Sequence, residues 1–416
     1  MGTPLRTASG DRSRTRQLLI LILAAQTALL TIRFAVTGSF VAGDSAWQFA
    51  TLRSIYMQRS LDLRDEAEFF YNERSPYTGN RKILRVPQPD PRTGLVATVW
   101  PVGAAVIRLP SFAVADIAAR AASLLGMSVD RAGYRHLYQF LPALFSSALG
   151  SVGLLLLART VRRSFADDGA VTAVATVWLA TPVIYYLTIE PLMAHAVSLG
   201  LACCLVALVL RTREREEVTM GRFALLGCLC GLLTITRYQD AAYFLLPLTL
   251  ASGQWRRALF GVIAGAAPVV TVQLLANRIW YGSMWTTGYE GVVRAEWLTP
   301  DVWRHLFAPL YGVFTTHPIQ LLGLAGLVWL YPIHKRLVLA LYVIFATELY
   351  AVAALIPGAP GMTFGNRTLT SLTPAFALGW YGLRNRFPNL QPLGIALVCA
   401  NVTLLALYCL RVINPS

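Results

Sequence analysis

An all-α polytopic membrane protein is the fold class this sequence predicts, on three observations. Apolar residues (AVILMFWYC) make up 56% of the 416 positions and charged residues 14%, where soluble globular chains carry roughly 45–50% and about 25%. Mean hydropathy is +0.53. The apolar residues fall in unbroken runs instead of alternating, which excludes a porin-type barrel, an ordinary soluble enzyme and a disordered chain. Basic residues return at every second connection between those runs, the pattern of a chain that crosses a membrane repeatedly.

The first span is Gln17–Val36, close to the ~20 residues a crossing helix needs. Arg6, Arg12, Arg14 and Arg16 precede it and mark residues 1–16 as a cytoplasmic basic tail. The run is long and no A-x-A cleavage site follows, so it reads as a span and not a signal peptide. Residues 37–136 are mixed, with charges at Arg64, Asp65, Glu66 and Glu68, turn chemistry from Ser75 to Asn80, and Pro87, Pro89 and Pro91. Within them Leu95–Ile117 is apolar but interrupted by Pro101, Arg108 and Pro110. Further apolar runs lie at about 137–158, 170–188, 193–210, 222–236, 240–254, 258–277, 307–330, 337–356, 368–383 and 392–411.

Arg159/Arg162/Arg163, Arg211/Arg213/Arg215, Arg256/Arg257, Lys335/Arg336 and Arg384/Arg386 fall at alternate loops. If all five are cytoplasmic, the run at 137–158 travels inward. Residues 37–136 are then one long first exterior loop with interfacial helices, Leu95–Ile117 among them. The expectation is about eleven spans in a single membrane domain over 1–416, with no separate soluble domain. Much of the net charge of +15 comes from these orienting arginines, so it does not point to nucleic acid; the remaining basic residues cluster in the long loop and need a separate explanation. The six cysteines (Cys203, Cys204, Cys228, Cys230, Cys399 and Cys409) lie in or beside apolar runs without zinc spacing. They read as small buried hydrophobes.

Polar residues near hydrocarbon are costly and mark a cavity or a partner. On the exterior side they collect. Asp44 lies just beyond the first span, before a helical pattern at Phe49, Leu52, Ile55 and Tyr56, where a helix N-cap is the structural alternative. Glu190 and His195 flank Pro191 at the next turn; for His195 alone a structural role is the rival. Arg237 and Gln239 follow the run at 222–236, with an Asp240 ion pair or anion binding as alternatives for the guanidinium. Tyr289, His317 and Arg367 lie near later exterior boundaries, and Lys82 and Arg85 in the long loop.

These residues resemble the GT-C glycosyltransferases, in particular the family-39-like branch that includes the protein O-mannosyltransferases and the lipid A aminoarabinose transferase. Gly43-Asp44 is similar to that branch's acidic motif after span one. Val99-Trp100-Pro101-Val102-Gly103 with Leu109-Pro110 is similar to its Tyr-Pro-x-Gly…Leu-Pro stretch. Leu179-Ala180-Thr181-Pro182…Tyr185-Tyr186 running to His195 resembles its second polar turn, and Gly231…Arg237 its span with a phosphate-binding arginine. Tyr281-Gly282-Ser283…Tyr289, Leu306-Phe307-Ala308-Pro309-Leu310-Tyr311-Gly312 and Phe364-Gly365-Asn366-Arg367 resemble later landmarks.

The resemblance implies a polyprenyl-phosphate-linked sugar as donor and a glycan, lipid or protein acceptor on the exterior or periplasmic face, with inversion at the sugar. Asp44 is the implied catalytic base. Glu190, His195, Arg237, Gln239, Tyr289, His317, Arg367, Lys82 and Arg85 are the implied substrate-binding set. The metal-dependent branch carries paired acids, whereas Ser45 follows Asp44 here, so neither a metal nor another cofactor is expected. Without a soluble domain, acceptor recognition falls to the first loop or a partner. The sparse lysines and abundant alanine, leucine and arginine suggest a bacterial inner membrane. A transporter or flippase of a lipid-linked anion is the alternative, though no internal repeat supports it.

Overall fold

The structure is a computed structural model and describes residues 8–71, 88–215, 217–290, 295–355 and 363–410. Among these, the architecture is all helical. Six stretches are long and apolar enough to cross a membrane: 16–37, 137–165, 194–213, 255–281, 319–355 and 388–409. Other expected runs form shorter or broken helices.

Helix α1 (Ala8–Thr37) leads into α2 (Asp44–Arg53), α3 (Arg64–Tyr71) and α4 (Gly103–Leu124). The bundle continues with α5 (Leu137–Phe165), α6 (Gly169–Leu179) and α7 (Val183–Thr188). Pro182 lacks the amide that would continue the ladder, so one apolar run becomes the α6–α7 pair. Then come α8 (Ala194–Arg213), α9 (Met220–Thr236), the single turn α10 (Leu245–Leu248) and α11 (Trp255–Tyr281), closed by Gly282 at φ 74°. Short α12 (Val302–Phe307) and α13 (Val313–Thr316) precede α14 (Ile319–Gly326), α15 (Tyr331–Leu355), α16 (Thr373–Arg386) and α17 (Gln391–Cys409).

The stretch 319–355 is a hairpin and not one rod. His334 leaves helical geometry at φ −130° and ψ 44°, and the Tyr342 hydroxyl donates to the Leu324 carbonyl at 2.9 Å. In an unbroken helix those residues would stand about 27 Å apart, at 1.5 Å per residue.

The largest core cluster joins α5, α6, α8, α9, α15 and α16, with α8 mostly enclosed. Close crossings rest on glycines. Gly227 and Gly231 of α9 face Val262, Ala266 and Val269 of α11, and Gly261 and Gly265 of α11 face Met220, Phe223 and Ala224 of α9. This is a doubled G-x-x-x-G contact, which lets two backbones approach where side chains would hold them apart. By contrast α1 and α17 are peripheral and mostly exposed. Gln26 ties α1 to Ser147 and Ser151 of α5 at 2.8 and 2.7 Å. Being peripheral also explains why Cys399 and Cys409 on α17 are exposed, unlike the buried Cys203 and Cys230. The expectation that all six cysteines are buried holds for Cys203 and Cys230 alone: Cys204 and Cys228 are half-buried, and Cys399 and Cys409 are exposed because the apolar helix that carries them faces outward.

All five basic loops gather at one end of the bundle. Ser164 donates to Glu214 at 2.6 Å, Phe165 packs on His334 and Tyr381 at 5.3 and 5.0 Å between centroids, Arg336 bonds Ser252, and Arg384 bonds Thr172. At the opposite end α2, α3 and α4 form a packed cap. Its centre is the buried Arg53–Glu66 pair at 2.5 Å, with the Arg53 guanidinium 3.7 Å over the Tyr134 ring. The cap is fixed to the bundle by Trp280 donating to the Leu61 carbonyl at 2.6 Å and by Gln273 accepting from the Val102 amide at 2.9 Å. The outer face of α4 leaves Val114, Ile117 and Leu124 exposed.

Candidate functional site

Asp44 opens α2. Gly43, at φ 52°, occupies the capping position, and no side chain caps this helix. The Asp44 carboxylate instead pairs with the Arg367 guanidinium at 2.5 Å, so the helix-cap alternative is not the geometry found. The 363–370 segment, where the chain returns to start α16, brings Arg367 there. Gly365 adopts φ 61°, and a side chain at that position would run into the His317 ring.

The same segment organises the other candidates. The Arg367 carbonyl accepts from the Thr370 hydroxyl at 2.6 Å, and that hydroxyl lies 3.1 Å from His195 Nδ1. The His195 ring packs against Tyr186 at 4.7 Å. The Thr368 carbonyl accepts from Arg237 at 2.5 Å and from Gln239 at 3.3 Å. Arg237 Nη1 is buried with no hydrogen-bond partner. Arg237 and Asp240 make no direct ion pair, though Asp240 lies within the electrostatic reach of the guanidinium and accepts from Ser198.

Glu190 sits in the turn between α7 and α8. One carboxylate oxygen is buried without a partner, and Tyr185 bonds the group. Burial pushes the Glu190 carboxyl up from 4.5 to about 7, opposed by Tyr185, Arg367 and Arg33. Tyr289 stands within the electrostatic reach of Arg237, Asp44 and Arg367, and burial pushes its hydroxyl up. Its ring meets Trp100 and Tyr238 edge-on at 6.1 and 6.2 Å.

Six of the sequence candidates therefore meet around the 363–370 segment or within reach of its charges: Asp44, Glu190, His195, Arg237, Gln239 and Tyr289, with Arg367 at the centre. His317 does not present itself to them. Its nitrogens lie 2.9 Å from Asn401 and 2.9 Å from Thr316, and Asn401 in turn donates to the Leu179 and Thr181 carbonyls. That network supports the loop from behind. Lys82 and Arg85 lie outside the described residues. The sequence reading quoted Trp100, Tyr185 and Tyr186 within motifs but gave them no role, and it passed over Thr370; all four touch the candidates, and the aromatic pair just after Pro182 was the available signal for Tyr185 and Tyr186. Among the described residues no group of three or more His, Cys, Asp or Glu side chains converges as an ion site.

Chemically the cluster offers a carboxylate held by a guanidinium, a second carboxyl titrating near neutrality, and a second guanidinium with an unused donor. Guanidinium donors match the oxygen geometry of phosphates. Comparison of the chain with models of known protein families and with curated proteins finds no match.

Proposed function

We propose that this chain is a membrane glycosyltransferase that moves a sugar from a polyprenyl-phosphate donor to an acceptor hydroxyl at the end of the bundle opposite the basic loops. The observation that carries the proposal is the Asp44–Arg367 pair standing beside the unsatisfied Arg237 donor. In this reading the short and broken helices complete about eleven crossings. The basic loops face the cytoplasm by the positive-inside rule, in a bacterial inner membrane. The cap lies on the exterior face, with the apolar side of α4 in the interface.

In the proposed step Arg367 shifts from Asp44 to the donor phosphate as the lipid arrives, and Arg237 binds the same group. Asp44 takes the proton of the acceptor hydroxyl. The acceptor oxygen bonds to the anomeric carbon, the bond from that carbon to the phosphate oxygen breaks, and the electron pair leaves with the polyprenyl phosphate. The two guanidiniums stabilise the charge that develops there. One displacement inverts the anomeric configuration. Glu190, His195, Gln239 and Tyr289 would orient sugar or acceptor hydroxyls.

The test is transfer from a radiolabelled panel of polyprenyl-phosphate sugars by membranes carrying the wild type or Asp44→Asn. Transfer should fall by about 10²–10⁴ in the variant with donor binding retained. Donor binding by both proteins, with neither transfer nor hydrolysis by either, would sink the enzyme reading and favour movement of the lipid-linked anion across the membrane.

A further inference from the structure

Arg108 is fully buried, at 0% exposure, yet no carboxylate among the described residues pairs with it. Burial lowers its pKa to about 9, still above neutrality, so the group remains charged. Its donors spread over three other elements. Nε donates to the Ser146 hydroxyl of α5 at 2.7 Å, Nη1 to the Gln48 carboxamide of α2 at 3.4 Å, and Nη2 to the Pro191 and Met193 carbonyls at 3.1 and 2.6 Å. Gln48 lies four residues after Asp44, one helical turn away on the same face. Pro191 and Met193 lie between Glu190 and His195. A buried charge is expensive unless its hydrogen bonds are met, and here each acceptor is neutral and belongs to an element that carries or abuts a candidate group.

We propose that Arg108 is a positioning residue, a buried fork that fixes the helix carrying Asp44 against the turn carrying Glu190 and His195. Its role in turnover rests on the glycosyl-transfer reading above; its role in geometry does not. The planar guanidinium spreads five donors over three nitrogens and reaches all four acceptors, whereas the ammonium of lysine has three donors on one nitrogen and cannot reach all four from a single point. Charge without the fork is therefore the discriminating perturbation.

The experiment compares wild type, Arg108→Lys and the milder Gln48→Leu in lipid nanodiscs. One readout is steady-state transfer from a polyprenyl-phosphate sugar; the other is amide hydrogen exchange. Arg108→Lys should lower kcat about 10²-fold, the usual effect of a displacement of about 1 Å in a reacting geometry, with the donor KM changed less than about threefold. Exchange should quicken about tenfold or more in 44–50 and 190–196 and stay unchanged in α14 and α16. Gln48→Leu should quicken exchange in 44–50 with a smaller loss of kcat. Wild-type kcat and exchange in Arg108→Lys overturn the proposal. So does a raised KM at constant kcat, which would mean direct contact with the anionic donor, and so does exchange quickened equally everywhere, which would mean a general pillar of the fold. If the wild type transfers no sugar from the panel, the glycosyl-transfer reading fails and the exchange pattern alone decides the role of Arg108.

Discussion

The Asp44–Arg367 pair makes a quantitative prediction because its geometry and surroundings are both defined. The two groups approach to 2.5 Å, with side-chain exposures of 33% for Asp44 and 17% for Arg367. Two unit charges about 4 Å apart attract by about 4 kcal/mol at an effective dielectric of about 20. Partial exposure and the cost of desolvating both groups reduce the net coupling to about 1–2 kcal/mol. A double-mutant cycle of Asp44→Asn, Arg367→Gln and the double variant, unfolded reversibly by sodium dodecyl sulfate in mixed micelles, reads this value directly. Saturating polyprenyl phosphate should shrink the coupling, because the incoming phosphate replaces the carboxylate as the partner of Arg367. Single-variant losses that add to within about 0.5 kcal/mol would show that the pair is not formed. A coupling unchanged by polyprenyl phosphate, at concentrations where the lipid binds, would refute the exchange of partners.

Two other perturbations follow from the same structure. Gly379→Ala puts a methyl group into the Gly323 carbonyl across the α14–α16 crossing and should cost about 1–3 kcal/mol; Gly221→Ala, with open space around it, should be neutral or slightly stabilising in the same unfolding assay. Glu190 gives a pH signature: its folded pKa of about 7 lies above the ordinary 4.5, so its contribution is fully present below about pH 4.5 and is lost as pH rises through 7. The total change is about 3 kcal/mol, and Glu190→Gln should flatten the pH dependence of unfolding measured between pH 4.5 and 8.

The sequence carried the architecture well where physics is local. Arginines at alternate loops anticipated the gathering of Phe165, Glu214, Ser252, His334 and Arg384 at one end, because a chain that crosses repeatedly must return its odd and even loops to opposite sides. The same logic put Asp44, Glu190, Arg237 and Arg367 together at the other end. What it did not reveal was pairing. Asp44 and Arg367 are 323 positions apart, by subtraction of their numbers, and local pattern links neither to the other. His317 resembled its neighbours in residue type, yet Asn401 and Thr316 hold its ring. Arg108 was visible only as an interruption in an apolar run, because two of its four acceptors are backbone carbonyls that residue identity does not encode. Six long apolar stretches also stand among the described residues where eleven apolar runs were read: Pro182 and the single turn of α10 break two runs, α9 and α16 are short, and the runs at 307–330 and 337–356 meet in the hairpin 319–355.

If the proposed glycosyl transfer holds, the peripheral placement of α1 and α17 bears on how its lipid-borne donor would reach the Glu190 turn. Leu29 of α1 and Leu404, Leu405 and Tyr408 of α17 flank Tyr185, so these two helices form the wall beside that turn. Lifting α8 from its place would strip apolar contacts all round it. Moving α1 or α17 aside would trade apolar helix surface for acyl chain, surfaces of equal polarity, apart from the few polar ties each helix makes. Gln26 holds α1 to Ser147 and Ser151 of α5 at 2.8 and 2.7 Å, and Asn401 holds α17 to the Leu179 and Thr181 carbonyls at 2.7 and 3.0 Å, so displacing either helix costs buried hydrogen bonds more than apolar contact.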